Sequence, residues 1–203
     1  MKGMKKLKKI IKLCFMAIII LNICTGCKKN EKIYNFGEII KVKLNDTLEK
    51  EFYVIKDEGE TLKLLSKDSI GKSTYNDIQE GYGCQFYGDC QPYNKYEGSI
   101  IESKIKELTK DWTNVQSVSL LNIEDLIEPI SISNKYFYKR SNSSIEINEE
   151  YKEIFTGDFW LYNTYMKSIN LAWKIKDSSF ETLSITEKAD IRPIIIIEKF
   201  LIQ

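Results

Sequence analysis

Ile191-Arg192-Pro193-Ile194-Ile195-Ile196-Ile197 is the stretch on which the fold turns. Its isoleucines are β-branched, at home on a pleated surface and disfavoured in a helix. A short apolar run of this kind reads as a buried strand. Pro193 has no N–H to give to a ladder, so it belongs at the beginning of that strand and not in its middle. Further back, Phe159-Trp160-Leu161-Tyr162 and Leu171-Ala172-Trp173-Lys174-Ile175 read as further late core strands, with both tryptophans turned inward.

The first half of the chain carries two more strand signals. Over residues 39–44 apolar Ile40, Val42 and Leu44 alternate with Lys41 and Lys43, the period of a half-buried strand. Residues 51–66 read as a hairpin: Phe52-Tyr53-Val54-Ile55 runs out, Asp57-Glu58-Gly59-Glu60 turns, and Leu62-Lys63-Leu64-Leu65 returns. Residues 68–98, rich in Gly, Tyr, Asn, Asp and Ser, read as loop, as do residues 139–150. Between the loops, Ser99 and Glu102 have capping-box spacing, and Ile101, Ile105, Leu108 and Trp112 follow at helical intervals. A second, shorter helix is predicted over residues 123–128, capped by Asn122 and stopped by Pro129. Strands, then helices, then strands again make an α+β fold, expected as a single domain over residues 36–203.

The N-terminus has a different logic. Residues 1–12 hold six lysines and no acid; residues 13–23 are apolar but for Asn22; then come Cys24-Thr25-Gly26-Cys27 and polar Lys28-Lys29-Asn30. A basic region, a short apolar core and small residues before a cut describe a signal peptide over residues 1–26. The apolar run falls short of the roughly 20 residues a membrane-spanning helix needs, so an uncleaved anchor is the weaker reading. The residues before Cys27 resemble the lipobox of bacterial lipoproteins: Thr25 and Gly26 fit, while Cys24 stands where Leu is usual. On that resemblance Cys27 takes a diacylglyceryl thioether and becomes the new N-terminus, and residues 27–35 form a tether. The rest of the chain then lies on the extracytoplasmic face of the cell membrane, since two acyl chains anchor stably where one does not.

Composition narrows the chemistry. Removing residues 1–26 from the 203 leaves 177, enough for one domain with a real core. The 30 basic and 29 acidic residues become 24 and 29, a net charge of −5, which argues against nucleic acid as a partner. The chain has no histidine, which excludes a Ser-His-Asp triad, a Cys-His dyad and any imidazole metal site. Carboxylate, lysine, tyrosine and cysteine chemistry stay open.

The layout of Phe52–Ile55 with Leu62–Ser66, Tyr96-Glu97-Gly98-Ser99 opening a helix, Ser119-Leu120-Leu121 before Glu124, Gly157–Leu161, Ala172–Ile175 and Ile191–Ile195 resembles a family. It is similar to the uncharacterised domains of exported Gram-positive proteins that end in a Val-Arg-Pro-Val-Ile strand. Those domains are related in pattern to the C-type-lectin-like and formylglycine-generating-enzyme folds. The resemblance implies a C-type-lectin-like domain but carries no function, because fold alone does not. Glu128-Pro129-Ile130, Gln91-Pro92-Tyr93 and Trp112-Thr113-Asn114 do not supply a lectin's calcium ligands, and no cysteine follows Cys90. Neither metal nor cofactor is therefore expected.

With Cys14 and Cys24 gone and Cys27 lipidated, Cys84 and Cys90 remain as a pair in an oxidising setting. A structural disulfide is favoured over a redox or metal-ligand pair, since the spacing is not Cys-x-x-Cys and nothing completes a zinc site. Around them lie Tyr82, Phe86, Tyr87, Tyr93 and Tyr96, the candidate ligand-binding residues, although such rings commonly fold back onto a core. Arg192 is expected to pair with a carboxylate such as Asp158 or Asp190. The expected function is that of a non-catalytic surface lipoprotein binding an envelope glycan or a protein partner through its loops. The alternative is a cell-envelope enzyme using carboxylate or tyrosine chemistry.

Overall fold

Ten strands form two five-stranded sheets in a computed structural model that describes residues 32–77, 95–126, 147, 149–165 and 170–202. They are β1 (Ile39–Lys43), β2 (Glu49–Asp57), β3 (Thr61–Ser66), β4 (Lys72–Thr74), β5 (Ser117–Leu120), β6 (Asp158–Thr164), β7 (Leu171–Lys176), β8 (Ser179–Ser184), β9 (Lys188–Asp190) and β10 (Pro193–Glu198). The first sheet runs β1-β2-β3-β10-β5, with every neighbour antiparallel. The second runs β4-β9-β6-β7-β8, and only the β6–β9 contact is parallel. One α-helix, α1 (Ile100–Leu108), and three 3-10 segments complete the described residues. Tyr34–Gln203 forms one compact unit.

The expected fold class, α+β, is corrected by these proportions. Of the described residues 43% are strand and 18% helical, which makes the domain all-β. Two misreadings contribute to the difference. The second predicted helix shrinks to one 3-10 turn, Ile123–Leu126, whose start Asn122 does cap by accepting from the Glu124 N–H at 3.0 Å; residues 127 and 128 lie outside the description. The stretch 68–98, expected as loop throughout, contains β4, which pairs with β9.

The isoleucine run becomes β10, an interior strand of the first sheet between β3 and β5, and Pro193 is its first residue. Its side chains divide between two apolar clusters, as a strand covered on both faces requires. Ile194 joins Leu65 and Ile55 beneath Phe159, Leu161 and Ile175 of the second sheet, so this cluster is the seam between sheets. Ile195 and Ile197 turn the other way, beside Leu64 and Leu62, into a cluster containing Val42, Phe52 and Val54. Each such side chain fully removed from water contributes about 1.5–3 kcal/mol.

The other face of the second sheet is covered by α1. Trp160 and Ala172 pack with Ile101 and Ile105, so β6 alternates strictly: Phe159 and Leu161 to one side, Trp160 to the other. The helix starts as its sequence requires. The Ser99 hydroxyl accepts from the Glu102 N–H at 3.2 Å, and the Glu102 carboxylate reaches back, but to the Gly98 N–H rather than to that of Ser99. The helix ends at Leu108, where Thr109 caps it, earlier than the spacing of Trp112 implied. Trp112 leaves the helix and packs edge-on against Phe52, over the opposite side of the molecule's first sheet.

Arg192 sits where the chain passes from β9 in one sheet to β10 in the other. It pairs with neither carboxylate expected of it. Nε donates to the Ser66 carbonyl at 3.0 Å, and one terminal nitrogen donates to the carbonyls of Ile154 and Thr156 at 2.9 and 3.2 Å. The guanidinium lies 4.6 Å from the centre of the Phe159 ring, a cation–π contact. Burial pulls its pKa down to about 10, still cationic at neutral pH. Asp158 is taken by Lys174 and Asp190 by Lys72 and the Ser69 hydroxyl.

Candidate functional site

Two buried tyrosines, Tyr75 and Tyr96, flank residues 78–94 in the sequence. The first follows β4 directly. Its N–H donates to the Ile185 carbonyl at 2.8 Å, and its own carbonyl accepts from Ile101 N–H at 3.2 Å. That second bond satisfies one of the orphan donors of the first turn of α1. Tyr96 lies at the turn into the same helix, its carbonyl accepting from both the N–H and the hydroxyl of Ser99, at 3.0 and 2.6 Å. Both stems of the segment are thus tied to one helix end.

The rings lock as firmly as the backbone. Tyr75 meets Trp160 edge-on with centroids 5.3 Å apart, and the Trp160 indole N–H donates to the Ser73 carbonyl at 2.8 Å. The Tyr75 hydroxyl donates to the Tyr162 carbonyl at 2.8 Å. Tyr96 packs against the Tyr162 ring at 4.9 Å, and the Tyr162 hydroxyl in turn donates to the Glu97 carboxylate. The Tyr75 phenol, buried and with its hydroxyl satisfied, is the arrangement in which tyrosine adds rigidity as well as apolar area.

The electrostatics follow from this packing. Burial, reinforced by Tyr96 and Glu97, raises the Tyr75 phenol far above its ordinary value. Burial and the nearby Glu102 raise Tyr96. Tyr162 is raised too, chiefly by its hydrogen bond to Glu97. Glu102 moves down, held by Lys106 and by the Gly98 N–H. The cluster at neutral pH therefore holds three protonated phenols beside an ionised Glu102.

Of the five aromatic residues singled out in the sequence, Tyr96 alone is described, and it is a buried support of the segment. Tyr82, Phe86, Tyr87 and Tyr93 lie outside the described residues, as do Cys84, Cys90 and Cys27. Sequence reasoning missed Tyr75 as a stem and missed Tyr162 and Glu97 as a pair. Glu97 and Tyr162 are 65 positions apart, and no local pattern joins them. The one available signal was Tyr75 itself, an aromatic directly after the polar Lys72-Ser73-Thr74.

Among the described residues no group of three or more His, Cys, Asp or Glu is placed to hold a metal ion. No described helix is long and apolar enough to cross a membrane. No family model, curated protein or solved structure matches the chain.

Proposed function

We propose that this protein is a lipid-anchored module on the extracytoplasmic face of the cell membrane that binds an envelope glycan or surface protein through residues 78–94. The observation that carries the reading is the stem of that segment. A stretch holding Tyr82, Phe86, Tyr87 and Tyr93 springs from two buried tyrosines, each fixed by backbone and ring contacts to the same helix end and sheet. Loops mounted on a rigid scaffold are where recognition concentrates, and aromatic residues with a polar tip are favoured contact groups. Anchoring rests on the basic, apolar and small-residue order that ends at Cys27.

The direction of the tyrosine shifts speaks against Tyr75, Tyr96 and Tyr162 as bases or nucleophiles. A tyrosine acting as base or nucleophile needs a lowered pKa, and Tyr75, Tyr96 and Tyr162 are all raised. The resolved carboxylate shifts, at Glu51, Asp57, Glu102 and Glu107, run downward, away from the raised value a general acid uses.

The test takes the full-length chain in detergent and incubates it with separated peptidoglycan, anionic polymer, capsule and membrane-protein fractions. Retention on one fraction is expected, reduced about tenfold or more by Tyr87→Ala with Tyr93→Ala, in line with hot-spot losses above 1 kcal/mol each. Retention that ignores both substitutions removes residues 78–94 from the reading. Anchoring is tested separately. Cys27→Ser is expected to stop acyl labelling and to leave the leader uncut, whereas unchanged labelling rejects Cys27 as the attachment point.

A further inference from the structure

Lys174 is placed unlike any other described lysine. It stands on β7 directly opposite Trp160 on one neighbour strand and Glu181 on the other, and only 5% of its surface is exposed. Its ammonium nitrogen lies 2.8 Å from Oδ1 of Asp158 and 3.9 Å from Oε2 of Glu181. Both acid side chains are open to solvent, at 42% and 45%, but Oδ1 of Asp158 is sealed from it and accepts no hydrogen bond. At 2.8 Å, the failure is one of angle and not of distance. The two other well-sheltered pairs differ: Lys63 with Asp125, at 2.7 Å, and Lys199 with Asp57, at 2.6 Å, are both hydrogen-bonded.

We propose that Lys174 and Asp158 condense into an intramolecular amide joining β7 to β6, with Glu181 carrying the proton. The side chains meet as ammonium and carboxylate. Glu181 takes a proton from the amine, whose nitrogen lone pair then attacks Cγ of Asp158. A C–N bond forms, Glu181 returns its proton to the oxygen of Asp158 that faces solvent, then carries the nitrogen's second proton to the same oxygen, and the C–O bond to that oxygen breaks as water leaves. The sum is –NH3+ plus –COO− giving –CO–NH– plus one water, with no oxidant, reductant or further reactant.

Two physical terms favour this. Holding amine and carboxyl in contact on adjacent strands replaces a bimolecular encounter, an advantage that reaches effective concentrations of about 10⁵ M or more in aligned systems. Shielding the nitrogen and Oδ1 from water penalises the charged pair relative to a neutral product that keeps one donor and one acceptor. The solvent-facing side of Asp158 gives the released water its exit. The amide also replaces the contact that lacked hydrogen-bond geometry with a covalent one.

Peptide mapping of the full-length chain tests it. Trypsin is expected to leave residues 153–167 bonded to residues 168–176, lighter than the two together by one water and uncut after Lys174. The bonded species should vanish in Asp158→Ala and in Lys174→Arg. In Glu181→Gln, with the circular dichroism unchanged, its formation should slow about a hundredfold or more, the usual worth of a positioned proton carrier. Recovery of residues 168–174 as a free peptide from the native chain overturns the amide. A bond from Lys174 to Glu181 overturns the pairing with Asp158, and an unchanged rate in Glu181→Gln overturns the proton-carrying role.

Discussion

Arg192 shows what one side chain can hold together. A lysine at this position could reach one of the three carbonyls, but only the planar fork of a guanidinium spans Ser66 at the end of β3 and Ile154 and Thr156 before β6 while sitting over Phe159. Arg192→Ala leaves three carbonyls short of a donor, at about 1–3 kcal/mol for each that water cannot reach. A total loss above about 3 kcal/mol in urea unfolding is expected, with Arg192→Lys recovering less than half of it. The sequence announced Arg192 by its rarity and by its place before Pro193, but the natural inference from a buried cation is a carboxylate partner. Backbone carbonyls are invisible to sequence reading because every residue has one. Gly37 is another such single-residue constraint. Its φ of +81° and a built Cβ only 3.0 Å from Ile154 predict that Gly37→Ala destabilises by about 1 kcal/mol or more, measurable in the same assay.

Elements that carry an apolar period were legible, and those that do not were missed. β1, the β2–β3 hairpin, β6, β7 and β10 all alternate or run apolar, and each was read close to its place. β4, β5, β8 and β9 are short or built largely from Ser, Thr, Lys and Glu, and their strand character comes from pairing rather than from composition. The β7–β8 turn is a case in point. Asp177 and Ser178 both adopt positive φ, at 46° and 65°, the geometry of a tight hairpin, without the glycine that usually advertises one. The helix was legible at its start and not at its end. Ser99→Ala is expected to cost about 1 kcal/mol by loss of the cap, whereas Trp112→Ala should cost about 3–5 kcal/mol as a core cavity. Comparing the two by denaturant midpoint checks that Trp112 is buried against the sheet beyond the end of the helix. The candidate site was legible only as a composition, since its stems are set by contacts between β4, α1 and β6.

At the scale of the whole molecule, stability should fall at both ends of the pH range, for different groups. Burial pushes the Asp57 carboxyl upward, but Lys199 and the N–H groups of Tyr34 and Gly59 outweigh it and hold its pKa below the ordinary value. The folded state therefore binds this proton less tightly than the unfolded state. Its contribution is complete above the ordinary carboxylate range and is lost as pH falls through the depressed value. Tyr75 and Tyr96 act in the opposite sense. Their folded-state values lie above the unfolded value near 10, so their contribution is complete below about pH 10 and drains away as pH rises beyond it. Of the 12 tyrosines, these two should ionise only as the protein unfolds, giving a delayed, cooperative step in an ultraviolet titration. Their ionising freely with the rest would show that the stem is open in solution.

The strand order also governs when this domain can exist at all. β10 lies between β3 and β5, and β9 lies between β4 and β6, so each sheet has a gap that only the last stretch of the chain can fill. Until that stretch emerges from the ribosome, or from any channel the chain must thread, β5 has no β3 to reach and β4 has no β6. The unfinished chain stays extensible and easily pulled through a narrow pore, and it condenses only when its tail arrives. A nascent chain stopped before residue 188 should accordingly remain protease-sensitive along its whole length, however many of the earlier strands it already contains.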